Sequence, residues 1–141
     1  MPKIDKETLR GMSSLALAHI GDAVFELLAR TYVCADGKRT AEKLHAATVA
    51  MVSATAQARA ARRVEAILTQ DEHAVFKRGR NSRVRAVPRG ASVGEYHLAT
   101  ALEALFGYLY LCGETRRVEE LFNAALPPQE TQTDESRTDE T

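Results

Sequence analysis

The sequence predicts an all-α chain: one helical domain followed by an acidic tail. Three observations carry that reading. Apolar residues recur at helical spacing in separate segments. Ser and Thr stand at the starts of several of those segments, where their hydroxyls can cap. No run alternates β-branched and polar residues around a hairpin turn.

The first long helix is expected over about 14–35, capped by Ser13 or Ser14, with Leu17, Ile20, Val24, Leu27 and Leu28 as its apolar stripe. Asp36-Gly37 ends it, with Gly supplying the left-handed C-terminal conformation. Thr40 caps a second helix, about 41–51, and Ser53 a third, about 54–68. Residues 71–79 suit a short helix, and 80–94, with Pro88, Gly90 and Gly94, read as a loop. Leu98, Leu102, Leu105, Phe106 and Leu109 line one face of a strongly apolar helix over about 95–112, which Gly113 stops. Thr115 to Leu126 forms a last amphipathic helix through Val118, Leu121, Phe122 and Ala125, and Pro127-Pro128 terminates it.

A chain of 141 residues suits a single domain, and 45% hydrophobic residues are enough for a core. The formal net charge is zero, but it is unevenly placed. Residues 127–141 hold five acids and one Arg, leaving 18 basic and 14 acidic groups, a net of +4, on residues 1–126. The expected division is a folded unit over 1–126 and a disordered acidic tail over 127–141. No apolar run is long enough to span a membrane, and the first residues lack an apolar signal core, so a cytoplasmic location is expected. Cys34 and Cys112 lie 78 residues apart and, with four scattered histidines, give no metal-ligand spacing; reduced thiols are the default.

Two carboxylates stand inside the most apolar helices: Asp22 in LALAHIGDAVFELLA and Glu103 in LATALEALFGYLYL. Burying an ionised carboxylate costs several kcal/mol unless a cation or hydrogen-bond donors compensate. Ala18 and Ala29 near Asp22, and Thr100 and Gly107 near Glu103, are small neighbours at helical spacing. They would let another helix, a metal or a phosphate come close. Asp22 facing Glu103 would repel it unless a divalent cation lay between, and oxygen-only ligation favours Mg²⁺ or Mn²⁺. The plainer reading is a surface acid or an acid paired with an arginine. Glu26 and Arg30 have the i,i+4 spacing of an ordinary surface pair, although Glu26 could instead support the metal site from behind.

From Lys77 to Gly94 there are six basic residues, Lys77, Arg78, Arg80, Arg83, Arg85 and Arg89, and no acid. Arginine makes planar, bidentate contacts to phosphate. Gly79, Asn81, Ser82 and the loop glycines would permit close backbone approach. With no aromatics interleaved, the segment suits a duplex backbone better than stacked single strands. Arg59, Arg62 and Arg63 either extend this surface or solvate the third helix.

These residues carry a resemblance. IGDAVFELLAR (20–30) resembles the signature helix of ribonuclease III catalytic domains, and ALEALFGYLYL (101–111) resembles their second acidic motif. With LHAATVAMVSATAQA (44–58) and FKRGRNS (76–82), the match over about residues 12–123 looks like Mini-ribonuclease III, which lacks the double-stranded-RNA-binding domain. The order of the motifs and the 81-residue spacing from Asp22 to Glu103 make the combination specific.

The resemblance implies a ribonuclease III-like helical bundle that forms a homodimer. It implies Mg²⁺-dependent cleavage of double-stranded RNA to 5′-phosphate and 3′-hydroxyl ends, with precursor 23S ribosomal RNA as substrate. Asp22 and Glu103 take the metal-ligating positions, and Lys77, Arg78, Arg80, Asn81, Arg83, Arg85 and Arg89 would grip the RNA backbone. His19 stands where larger relatives carry an aromatic that packs against the partner subunit. The chain departs from the larger enzymes at Leu15, Ala18 and Thr100, where they have acids. The Thr100 replacement is typical of the Mini form. Whether a ribosomal protein must first shape the RNA stays open. Two other readings compete: a non-catalytic duplex-RNA or ribosome-associated module on the same fold, and a helical interaction protein in which Asp22 and Glu103 pair with arginines.

Overall fold

The structure, a computed structural model, describes residues 4–83, 87 and 89–128. Arg85 and the tail from residue 129 onward, both named above, lie outside the described residues. Seven helices and no strands are present among them: α1 (Lys6–Gly11), α2 (Ser14–Ala35), α3 (Ala41–Val52), α4 (Ala54–Glu65), α5 (Gln70–Arg80), α6 (Val93–Leu111) and α7 (Thr115–Ala125). No described helix is long and apolar enough to cross a membrane.

Local chemistry explains most boundaries. The hydroxyls of Ser13, Thr40 and Ser53 accept from the N–H groups of Ala16, Lys43 and Ala56, starting α2, α3 and α4. α5 and α6 each open on a capping box, Thr69 with Glu72 and Ser92 with Glu95. The Ser92 cap starts α6 at Val93, two residues before the periodicity alone suggested. α4 stops at Glu65 rather than 68. Gly37 and Gly113 take φ of +105° and +78° just beyond α2 and α6. α1 was not expected. It is six residues long, started by Asp5 accepting from Thr8 N–H at 2.7 Å, and it shows one buried apolar side chain, Leu9. One apolar residue gives no period to read.

α6 is the central helix, and α2, α4, α5 and α7 pack around it. All five stripe residues expected for α6 are buried, as are all four expected for α7. α2 departs from expectation. Its core face is Leu17, Ala18, Gly21, Phe25, Ala29 and Val33, whereas Leu27 is 66% exposed. The helix is apolar nearly all round, so hydrophobicity could not choose the face. Two glycines chose it. A Cβ at Gly21 would overlap the Glu103 carbonyl oxygen, and one at Gly107 would overlap the Leu17 carbonyl oxygen. The helices therefore cross antiparallel with backbones in contact. The Phe25 ring, 5.5 Å from both Phe106 and Phe122, ties α2 to α6 and α7.

Gly79 plays the same part for α5. Its missing Cβ would lie 2.9 Å from the Ala101 Cα, so Gly79 is a packing residue rather than an opening for a ligand. A second tie joins α7 to the start of α5. The Arg117 guanidinium donates to both oxygens of buried Glu72, at 2.8 and 2.9 Å, and to the Ile67 carbonyl at 2.9 Å. Those bonds hold the Glu72 carboxyl below its ordinary pKa. Gly107→Ala should destabilise the fold by about 3 kcal/mol or more, because its Cβ meets rigid backbone rather than a movable side chain. Urea unfolding measures this, and an unchanged midpoint would refute the close crossing.

Candidate active site

The α2–α6 crossing brings the two conspicuous acids together. Asp22 follows Gly21 directly, and Glu103 sits one turn before Gly107, so contact between the glycines sets the carboxyl groups side by side. Glu103 is half-buried and Asp22 is exposed. Burial, then the Asp22 charge, then a hydrogen bond to Asp22 push the Glu103 carboxyl up to a pKa of about 8. The two acids thus stand as like-charge neighbours, and each cause disfavours the Glu103 anion. No described arginine or lysine forms an ion pair with either acid, so the described residues do not support the reading in which arginines neutralise them.

Among the described residues no group of three or more His, Cys, Asp or Glu side chains comes together as a metal cage. The pair alone is the donor set. Two hard oxygen ligands beside open solvent suit Mg²⁺ or Mn²⁺, which retain several waters. Two adjoining acids with no ion-paired arginine or lysine among the described residues are a charge that a cation would offset. The Thr100 hydroxyl, one turn before Glu103, donates to the Tyr96 carbonyl at 2.9 Å and adds no charge. Ala18 is buried in a small cluster with Leu9, Leu17, Val75 and Ala104. That position therefore serves packing here.

The other expected residues lie around this centre. Glu26 makes the ordinary surface pair with Arg30, at 3.5 Å, and shares a groove with Asp22. His19 is exposed and lines the same groove. Lys77 and Arg78 lie on the last turn of α5 as expected, and Arg80, expected in the loop, ends the same helix, where cations complement its dipole. Gly79 rests on Ala101 and Ala104, and Arg80 lines a hollow with residues from the start of α6. Arg80 is paired loosely with Glu65 at 3.6 Å, Asn81 ends α5, and Arg83 and Arg89 are exposed. Arg63 is taken up structurally, donating to the Ala125 carbonyl at the end of α7, whereas Arg59 and Arg62 are exposed. The part played by Gly21 was missed in the sequence. Its signal was a glycine beside the helical acid, matched by a second glycine one turn beyond the other acid.

Residues 15–114 match the family model of the Ribonuclease III domain. A Mini-ribonuclease 3 from Clostridium tetani is 41% identical over 86% of this chain and 81% of its own length. One from Thermoanaerobacter is 39% identical over 87% of each chain. The crystal structure of protein FN1578 from Fusobacterium nucleatum superposes with a TM-score of 0.74 at 32% identity, covering 81% of this chain and 93% of that one. The chain belongs to the ribonuclease III family, in its Mini-ribonuclease 3 branch, and is an endoribonuclease.

The raised Glu103 pKa has a measurable consequence. The group titrates near 4.5 when unfolded and near 8 when folded. Folding thus favours its protonated form, and the stability it contributes is present below about pH 4.5 and lost as pH rises through 8. In EDTA, the wild type should lose about 1–3 kcal/mol relative to Glu103→Gln between pH 5 and 8. Thermal unfolding of both proteins across that range checks this; parallel pH profiles would show that Glu103 is not perturbed.

Proposed function

We propose that this endoribonuclease cuts double-stranded RNA with a divalent cation held by Asp22 and Glu103. The observation that carries the reading is the placement of the two carboxyls side by side at the Gly21–Gly107 crossing. Two such carboxyls, with no basic ion-pair partner among the described residues, repel as anions, and a cation between them would offset that repulsion. Mg²⁺, or Mn²⁺ in its place, would supply Lewis-acid stabilisation of the scissile phosphate and a water activated near neutral pH. The protein's own part is to hold two oxygens rigidly on two helices, to keep Glu103 half-desolvated, and to present Lys77, Arg78, Arg80, Asn81, Arg83, Arg85 and Arg89 to the phosphate backbone. Hydrolysis at the 3′-oxygen leaves a 5′-phosphate and a 3′-hydroxyl.

The working unit is proposed to be a homodimer built on residues 1–126, acting in the cytoplasm on precursor 23S ribosomal RNA. The outward face of α2 supports the dimer. His19, Ile20, Ala23 and Leu27 line a groove of about 590 Å³ together with Val118 and Tyr110. An apolar strip of this kind, next to charged catalytic groups, suits an isologous contact between two copies of α2. A two-fold dimer matches the local symmetry of a duplex and places one carboxylate pair on each strand. A non-catalytic RNA-binding module is the second reading, favoured by the apolar or neutral side chains at Leu15, Ala18 and Thr100.

Two experiments separate these. With long duplex RNA and Mg²⁺, Asp22→Asn and Glu103→Gln, each folded by circular dichroism, should lose about a thousandfold or more in cleavage rate, as should wild type in EDTA. Duplex binding without cutting by wild type would favour the module. Leu27→Asp should convert the dimer to monomers in analytical ultracentrifugation, since it puts a charge into an apolar contact; a mass unchanged from wild type would refute the α2 interface.

A further inference from the structure

The described chain ends against a basic helix. The Arg63 guanidinium of α4 donates to the Ala125 carbonyl at 2.8 Å, fastening the end of α7 to α4. Leu126 is extended there and Pro127-Pro128 follow, so the chain leaves α7 rather than prolonging it. Leu126 and Pro127 line a small hollow of about 150 Å³ with Arg59 and Arg63. Residues 129–141, which follow directly, hold five acids, one Arg and no apolar side chain. We propose that residues 129–141 dock on the arginine face of α4, formed by Arg59, Arg62 and Arg63, and compete there with RNA as a tethered polyanion. The competition rests on the duplex-RNA reading; the docking does not.

Charge, reach and composition select this occupant. Arg62 and Arg63 stand three and four positions after Arg59, so the three share one side of α4. Arg59 and Arg62 are exposed, and none of the three forms an ion pair with a described acid. The Glu95 carboxyl is held below its ordinary range first by the Ser92 N–H, and the Arg62 charge acts on it last. Residues 1–126 carry a net of +4, and the acids that balance it lie beyond them. Thirteen residues span at most about 45 Å, whereas the 12-residue α4 is about 18 Å long. A segment that starts beside Arg63 therefore reaches the whole arginine face. With no apolar side chain it has nothing to bury in a core, and its acids are left to meet cations. Arg62 also lines a hollow with Arg80 and Asn81, so acids seated on α4 adjoin groups proposed to grip the RNA. Tethering gives the segment an effective concentration on the order of millimolar. A contact with a Kd of only about 0.1 mM is then about nine-tenths occupied, and RNA binding is weakened about tenfold.

The test replaces the five acids in the full chain, Glu130→Gln, Asp134→Asn, Glu135→Gln, Asp139→Asn and Glu140→Gln, and alters no described residue. In NMR spectra at about 30 mM KCl, the side-chain Nε–Hε resonances of Arg59, Arg62 and Arg63 should differ between the acidic and amide chains, and they should converge at about 500 mM KCl. Those of Arg10 on α1 and of Arg116, at the far end of α7 from Ala125, should coincide throughout. With Asp22→Asn in both chains to prevent cutting, the amide chain should bind a short duplex RNA about tenfold more tightly at low salt, and the gain should vanish at high salt. Unmoved α4 arginine resonances, or equal shifts in all five arginines, would overturn the docking. Moved resonances with equal duplex affinities would overturn the competition. An Asp22→Asn parent that binds no duplex in either form would overturn the duplex-RNA reading and the competition with it, while the arginine resonances would still decide the docking.

Discussion

The backbone contact between Gly21 and Gly107 is the constraint on which the rest of the structure depends. Two helices can approach this closely only where neither carries a Cβ, and each glycine meets a backbone atom of the other helix. That contact fixes the rotation of α2 about its own axis. It buries Leu17, Phe25, Ala29 and Val33 and turns Leu27 outward. It also sets the distance between the α2 and α6 backbones, and with it the proximity of Asp22 to Glu103. Packing and chemistry are here one geometric fact.

The consequence is electrostatic. An acid one residue past one glycine and an acid one turn before the other have no room to separate. Glu103, the more buried, keeps its proton to a pKa of about 8, because burial disfavours its anion and Asp22 adds like charge. Burial and like charge therefore both disfavour full ionisation of the pair, and a cation would offset both. Elsewhere the molecule does the opposite: Glu72, also buried, is neutralised completely by a bidentate Arg117 and serves only to hold α7 against α5. An acid with a guanidinium across from it is a brace, and an acid with another acid across from it is a site.

α2 has two apolar faces and only one is used within the chain. The inner face belongs to the core. The outer one leaves Leu27 in solvent beside Asp22. Single exposed leucines need no explanation, but here Leu27 lines one groove with His19, Ile20 and Ala23. The basic surface is likewise divided between helices. Lys77, Arg78 and Arg80 close α5, and Arg62 comes from α4, so positive charge is gathered by helix packing and not by one loop.

The sequence by itself determined the helical architecture, since periodic apolar stripes and Ser or Thr caps act within a few residues of one another. It also singled out Asp22 and Glu103 as acids inside the two most apolar helices, although only Glu103 is partly buried by the packing. Six of the seven helices and the identity of the pair were legible for those reasons. α1 was not, because a six-residue helix with one buried side chain has no period. Tertiary structure alone decided which face of α2 is core, since that helix is apolar almost all round. It alone turned Gly79 into a packing residue and brought Arg62, Arg80 and His97 to one hollow. Those outcomes depend on backbone contacts between residues dozens of positions apart, and no local preference encodes them.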